Sequence, residues 1–362
     1  MAKCCYWLWS RVPSTFLISQ HSTIAEPRAL FWALSDLRLN SCHLSGLSQG
    51  RKRHFFGSTP FRMTTSPTLI TKLIQPVSCY CIIAGRKMAS KANPLRMTIQ
   101  TIRIAGHRGH SAAAPENTLA AFRKAREIGG KGVTCETDLA VTKDGELILL
   151  HDDTVDRTTD GHGLASNMTY LEILKLDAGR WFGEKFTGEK VPRLRDALHL
   201  ARELDIIYQL ELKVYNQNHV IFPALRALID ELKCADLLQF SSFDFVQLRA
   251  VKDVIPEVPT VGLSHSRLID PAGLARGANL DAMNIEIQHF PSGEAHQLHT
   301  EGFAVFLFIP RPEVLELLEV YGRDMEAEIV QWILQGQLDQ IICDDVSQMV
   351  RIRDKAHKLL KS

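Results

Sequence analysis

Two histidines and three carboxylates stand at the ends of apolar runs in this chain. His107 and Arg108 lie in Gly106-His107-Arg108-Gly109, Glu136 and Asp138 in Glu136-Thr137-Asp138, His151 beside Asp152, and Glu211 with Lys213 in Gln209-Leu210-Glu211-Leu212-Lys213. A hydrophobic core has no use for that set at strand ends, because each unpaired buried charge costs several kcal/mol. Together the residues read as a site for a metal ion and a phosphate. Glu136, Asp138 and Glu211 are hard oxygen ligands without a His/Cys cluster beside them, a set that suits Mg2+ or Ca2+ and disfavours Zn2+. Such an ion keeps three neighbouring carboxylates ionised and polarises a phosphoryl oxygen as a Lewis acid. Lys213 offers the phosphate a point charge and Arg108 a planar fork of donors. The plainer alternative for each is an ion pair with Glu211 or Glu116.

His107 and His151 are the candidate acid and base. An imidazole with a pKa of about 6.5 gives or takes a proton near neutrality, and two of them on opposite sides of a phosphorus can serve attack and departure separately. Each ends an apolar run at the level of a proposed metal ligand, and Asp152 or Glu116 could orient a ring. The other twelve histidines lack that setting. His162, in Asp160-Gly161-His162-Gly163, reads as a solvated turn residue.

Elements that could gather these groups follow from residue 101 onward, where short apolar runs alternate with helical periods, the pattern of a parallel sheet with crossover helices. Nine runs are strand-like: 103–106, 132–139, 147–151, 206–212, 237–241, 260–263, 282–287, 304–309 and 340–343. Amphipathic stretches such as 118–128, 193–204, 220–232, 243–254 and 326–335 lie between them. About eight strand–helix units in roughly 260 residues is the size of a (β/α)8 TIM barrel. A doubly wound open sheet is the structural rival, but Gly106 to Gly109 does not fit the G-x-G-x-x-G turn such a sheet brings after its first strand. On a strand alternate side chains share a face, so Glu136 and Asp138 project together, as do Glu211 and Lys213. In a barrel the carboxyl ends of different strands meet above one mouth.

The folded unit is assigned to residues 101–362, behind a leader of 100 residues. The leader holds 13 Lys/Arg against Glu26 and Asp36 alone, leaving 29 basic and 39 acidic side chains for the remainder. A basic, acid-poor segment dotted with Ser and Thr has the composition of an organelle transit segment, or it is an unselected upstream extension that is poorly structured. Met97 offers an alternative start. The two readings place the protein in a mitochondrion or in the cytoplasm. Lys72 and Gln75 interrupt the best candidate for a membrane helix, 69–84. Five of eight cysteines lie in the leader, and Cys135, Cys234 and Cys343 are scattered singly, the usage of small buried thiols and not of a disulfide framework. Cys79-Tyr80-Cys81 has no second pair to complete a metal site, and Asn167-Met168-Thr169 is a glycosylation acceptor only in a secreted chain. The excess negative charge of residues 101–362, without a basic stripe, argues against nucleic acid as a partner.

The run GHRGHSAAAPENTLAAFRKA, followed by CETDLAVTKDGELILLHDDTVDRTTDGHG, LELK and SSFD, strongly resembles the glycerophosphodiester phosphodiesterases, most closely the cytoplasmic bacterial type, over about residues 102–350. Leu176 to Phe182, leading to Val191-Pro192-Arg193-Leu194, looks like that family's second loop and helix. The resemblance implies a (β/α)8 barrel that hydrolyses small glycerophosphodiesters to sn-glycerol 3-phosphate and an alcohol with one divalent cation. Position by position, it implies that His107 and His151 are the acid–base pair, that Glu136, Asp138 and Glu211 hold the metal, that Arg108 and Lys213 contact phosphate, and that Glu116 supports the site. It also implies a route in which the substrate's own glycerol 2-hydroxyl attacks phosphorus and water then opens the cyclic phosphate. An internal nucleophile of this kind is already positioned.

The chain departs from the family late. An aromatic-Thr-Val-Asn segment is replaced by Val305 to Pro310, a stretch around Tyr321 to Glu328 is inserted, and Thr-Asp is replaced by Cys343-Asp344. These changes are expected at the rim, where they would alter the pocket for the alcohol and leave the catalytic set intact. Two other readings stand beside the hydrolase. A lysophospholipase D or related lipid phosphodiesterase would need an apolar rim, for which Phe290, Phe306 and Phe308 offer only a little surface, and they read more simply as buried strand residues. A catalytically inactive barrel acting as a binding protein would have lost one of the two histidines or three carboxylates, and all five are present.

Overall fold

The structure, a computed structural model, describes residues 92–362 apart from residues 214, 216, 310 and 311. Residues 1–91 of the expected leader, Cys79-Tyr80-Cys81 among them, lie outside the described residues.

Nine strands form in chain order: β1 (Arg103–His107), β2 (Val133–Val141), β3 (Leu147–Leu149), β4 (Ile206–Leu212), β5 (Leu238–Ser242), β6 (Thr260–Gly262), β7 (Ala282–Glu286), β8 (Ala304–Ile309) and β9 (Gln340–Cys343). Eight of them are parallel and run β1-β9-β8-β7-β6-β5-β4-β2 around a ring that the β1–β2 pairing closes. The helices are α1 (Leu119–Gly129), α2 (Tyr170–Ile173), α3 (Leu194–Leu204), α4 (Asn218–Leu232), α5 (Phe245–Val254), α6 (Pro271–Gly277), α7 (Glu294–Thr300), α8 (Pro312–Val320), α9 (Met325–Leu334) and α10 (Val346–Leu359). This is a TIM barrel. The inserted stretch 321–328 spans the turn between α8 and α9 and the first residues of α9.

The barrel has two cores, as the period of two along each strand requires. Outward-facing residues such as Tyr208, Leu210, Ile285, Leu307 and Ile341 pack beneath the helices with Phe122, Leu198, Leu225 and Leu298. Inward-facing Ala105, Val261, Ala282, Ala304, Phe306 and Ile342 fill the interior, and Leu95, from the segment ahead of β1, packs with them. Among the inward-facing residues a polar pair spans the ring, with Gln340 Nε2 donating to Gln209 Oε1 at 2.8 Å.

One strand-like run behaves differently from the rest. Leu147 to His151 is not a barrel strand: β3 pairs antiparallel with β2, Leu139 opposite Leu149 and Val141 opposite Leu147. Five residues separate the two strands, too few for a parallel crossover of a dozen or so, and Thr142 closes the turn by accepting from the Glu146 amide at 3.0 Å. Beyond β3, residues 150–192 form a lobe with its own apolar centre of Ile148, Leu150, Val155, Ala165, Ile173, Ala178 and Val191. Among the described residues, no helix is long and apolar enough to cross a membrane.

Candidate active site

The turn after β1 is built for close approach. Arg108 and Gly109 both take left-handed backbone (φ 57° and 83°), and a Cβ on Gly106 would lie 2.4 Å from the Gly109 carbonyl oxygen. The chain therefore doubles back at the barrel mouth, and the Arg108 amide donates to Glu136 Oε2 at 3.1 Å. Register does the rest. His107 pairs opposite Glu136, and Asp138 opposite Glu211, so the carboxylates of Glu136, Asp138 and Glu211 each bring one oxygen within 4.8 Å of the others.

All three acids are buried. Burial and the charges of Asp138 and Glu211 push Glu136 well above the usual carboxylate range, against the pull of Arg108. Burial and Asp138 likewise raise Glu211 to about 7. Burial would raise Asp138 too, but Lys213, Arg108 and His151, with a hydrogen bond from Asn117, hold it below its ordinary value. Two of the three carboxyls thus favour their protonated form, and a hard cation could replace those protons with one compact charge. The donor set fits Mg2+ or Ca2+ equally. Asn117, itself in left-handed backbone, anchors the cluster: its Nδ2 donates to Asp138 Oδ2 at 2.9 Å and its Oδ1 accepts from Thr137 at 2.7 Å.

Each histidine is tied at Nδ1. His107 bonds Asp344 Oδ1 at 2.6 Å and His151 bonds Asp152 Oδ1 at 2.6 Å, so Nε2 is the ring nitrogen that each leaves toward the cavity. Asp152 does orient a ring, as expected. Glu116 does not; it accepts from Arg108 Nη1 at 2.7 Å and from Arg157 Nη1 and Nη2 at 2.7 and 2.8 Å. Arg157 also grips Asp152 through Nε at 2.7 Å, so one continuous chain runs His151–Asp152–Arg157–Glu116–Arg108. Burial lowers His151 below the ordinary imidazole value, with Asp138 and Asp152 opposing and Arg108 and Lys213 adding to the fall. His151 is therefore neutral at pH 7 and able to accept a proton. Lys213 Nζ lies 3.4 Å from Asp138 and Arg108 Nε 3.5 Å from the same carboxylate. Both cations thus do form ion pairs, with Glu116 and Asp138, and they border the same cavity.

That cavity has a volume of about 310 Å³ and is lined by His107, His151, Glu136, Glu211, Arg108, Lys213 and Tyr215 and, on its far side, Phe243, His265, Asn284, Glu286 and Phe308. The glycerophosphoryl diester phosphodiesterase family model matches residues 107–348, a span that holds every residue of this site. The chain belongs to that family. It is 33% identical over 259 residues to a glycerophosphodiester phosphodiesterase of Caldanaerobacter subterraneus subsp. tengcongensis, covering 69% of this chain and 96% of the relative. Among solved structures it resembles an Oleispira antarctica phosphodiesterase in complex with the product sn-glycerol-3-phosphate (27% identity, TM-score 0.60, 70% of this chain and 96% of that one). A glycerophosphodiester phosphodiesterase of Agrobacterium tumefaciens also matches (26% identity, TM-score 0.55, 69% and 98%).

Within this phosphodiesterase fold, two expectations need correction. Asp344 was expected at the rim, yet it bonds His107 directly, because β9 is the neighbour of β1 in the closed ring. Phe308 was expected as a buried strand residue, yet it faces the cavity and meets the His107 ring edge-on at 5.0 Å. Phe306 and Phe290 are buried. His162 is exposed and bonds Asp156 in its turn, as a solvated residue should. Asn117, Arg157 and Asp344 are the contributors that residue-by-residue reading did not single out. Cys135, Cys234 and Cys343 are buried and unpaired.

Proposed function

We propose that this cavity hydrolyses glycerophosphodiesters to sn-glycerol 3-phosphate and an alcohol, with His107 and His151 as the acid–base pair. The observation that carries this reading is the matched anchoring of the two imidazoles, each tied by Nδ1 to an aspartate at 2.6 Å on either side of one cavity. Glu136, Asp138 and Glu211 would hold a divalent cation, Mg2+ or Ca2+; when bound, it supplies Lewis-acid polarisation of a phosphoryl oxygen. The residues of the chain do the remainder. Arg108 and Lys213 balance charge on the non-bridging oxygens, and Glu116 fixes the Arg108 fork. One imidazole takes the proton of the glycerol 2-hydroxyl as its oxygen bonds to phosphorus. The other imidazole gives a proton to the alcohol oxygen as its bond to phosphorus breaks. Water then opens the five-membered cyclic phosphate with the two roles exchanged, which restores both rings. The Oleispira relative's complex with sn-glycerol-3-phosphate supports the same product here.

The test is product analysis by 31P NMR with the full chain and glycerophosphoethanolamine, with and without chelator. Glycerol 3-phosphate and free ethanolamine are expected, chelator should stop the reaction, and a substrate analogue lacking the 2-hydroxyl should not react. Phosphoethanolamine as product would overturn the assignment of the broken bond. Unchanged rates in chelator would overturn the cation, and turnover of the deoxy analogue would replace internal attack by direct attack of water.

A further inference from the structure

The far wall of the cavity is made by residues with no part in the scheme above. Strand β7 stands four places from β2 around the eight-strand ring, directly across the mouth from the acid cluster. Its last residue, Glu286, faces the cavity with a side chain that is mostly buried. Its two oxygens accept from His265 Nδ1 and Gln288 Nε2. Each bond uses one lone pair, and a carboxylate oxygen has a second. Two aromatic rings frame Glu286: Phe243 stacks on its partner His265 at a ring separation of 4.4 Å, and Phe308 pairs opposite Glu286 between β7 and β8. Asn284, two residues before Glu286, also lines the cavity, and its Oδ1 is an acceptor without a hydrogen-bond partner among the described residues.

A carboxylate set among aromatic rings, with no cation paired to it other than a histidine, is the chemistry that recognises an alkylammonium group. The opposite wall presents Arg108 and Lys213 to the phosphate. A ligand that satisfies both walls is a zwitterion, anionic at one end and cationic at the other. We infer that Glu286, framed by Phe243 and Phe308, selects glycerophosphodiesters whose alcohol carries an alkylammonium group, ethanolamine or choline, over those with a neutral alcohol. This inference rests on the hydrolytic reading above and adds the choice of alcohol. The contact of Phe308 with the His107 ring places the ammonium pocket beside one of the two proton-transfer groups.

The experiment is a comparison of kcat/KM for glycerophosphoethanolamine, glycerophosphocholine and glycerophosphoglycerol, using the full chain with saturating Mg2+ or Ca2+. At least one ammonium ester should exceed the glycerol ester by fivefold or more, and the two ammonium arms distinguish a primary amine from a quaternary one. Glu286→Gln should lower the ratio of ammonium to glycerol ester by fivefold or more, acting chiefly through KM, and Phe243→Ala should move the ratio in the same direction. Since the readout is a ratio of two substrates on one preparation, a partly unfolded variant does not distort it. A wild-type preference below fivefold, or a ratio that Glu286→Gln leaves within fivefold of wild type, overturns the inference while leaving the hydrolase intact. Failure to hydrolyse all three esters would instead overturn the hydrolytic reading, and this inference with it.

Discussion

His107 and Asp344 are 237 residues apart in the chain and 2.6 Å apart at the barrel mouth, joined Nδ1 to Oδ1 where β1 and β9 lie side by side. The bond fixes which ring nitrogen faces the cavity. Burial would raise the Asp344 carboxyl, but its bond to His107 and the nearby charges of His107 and Arg108 hold it below the usual aspartate value, so it stays ionised as the acceptor at Nδ1.

Asp344→Asn should therefore act through His107. An amide can donate to Nδ1 and favour the tautomer with its proton on Nε2, the wrong form for a base. We predict a fall in kcat of about 100-fold with little change in KM, comparable to the loss of at least about 100-fold for His107→Ala and His151→Ala, the lower end of acid–base contributions. Steady-state kinetics decide it, and an Asp344→Asn enzyme with near-normal kcat would show that the bond serves packing alone.

Arg157 should prove to be a positioning residue. It spans Glu116 and Asp152 with bonds of 2.7 to 3.0 Å, and thereby links the partner of His151 to the partner of Arg108. Arg157→Met should lower kcat by about tenfold. Arg157→Lys should fail to rescue it, since a single ammonium cannot copy a planar fork across two carboxylates. A wild-type rate in the lysine variant would refute the bridging role.

Much of this site is legible in the sequence because it depends on local rules. A period of two puts Glu136 and Asp138 on one face, Gly106 and Gly109 mark a turn that only glycine tolerates, and apolar runs announce strands. Other parts depend on what the ring brings together. Asp344 meets His107 only because the first and last strands pair, and Arg157 reaches Glu116 only because a lobe folds over the mouth. Glu286 faces the cavity by its position in the circle, which no spacing along the chain reveals. The antiparallel turn of β3 was within reach of a length argument, since an apolar run looks the same in either direction but five residues cannot make a crossover.

The acid cluster should make the metal-free protein less stable as pH rises. Glu211 titrates at about 7 in the fold against 4.5 unperturbed, so the folded state binds the proton more tightly than the unfolded chain. Stability then falls between pH 4.5 and 7 and levels off above, and Glu136 adds to the fall in the same sense. Asp138, lowered from 3.8, loses its contribution only below that value, outside the window. Melting temperature in chelator should decline from pH 5 to pH 8, and added Mg2+ or Ca2+ should raise it more at pH 8 than at pH 5, because the cation needs the carboxylates ionised. Glu211→Gln should stabilise the chelated protein by a few degrees and abolish the response to cation. A cation effect equal at both pH values would contradict the assignment of these ligands.

Leu95 offers a test that separates stability from chemistry. It is 3% exposed and packs with Ala105, Val261, Ala282 and Ala304 inside the barrel, at the end away from the site. Its neighbours tie it there. Asn93 Nδ2 donates to the Asp281 carbonyl at 2.7 Å, the Met97 amide donates to Asp339 Oδ1 at 2.6 Å, and Arg96 Nε lies 3.3 Å from the same carboxylate. Small residues line this part of the interior, so the backbone cannot collapse to fill the space a shorter side chain would leave. Leu95→Ala should cost about 3 kcal/mol, within the range for emptied core sites. A chain shortened to begin at Met97 should lose at least as much, since it gives up the plug and the Arg96 pair together. Denaturant unfolding measures both losses. At temperatures where the variants remain folded, kcat should match the intact protein, because the plug and the acid–base pair lie at opposite ends of the barrel. An unchanged unfolding midpoint in Leu95→Ala would mean that the segment ahead of β1 does not close the barrel floor.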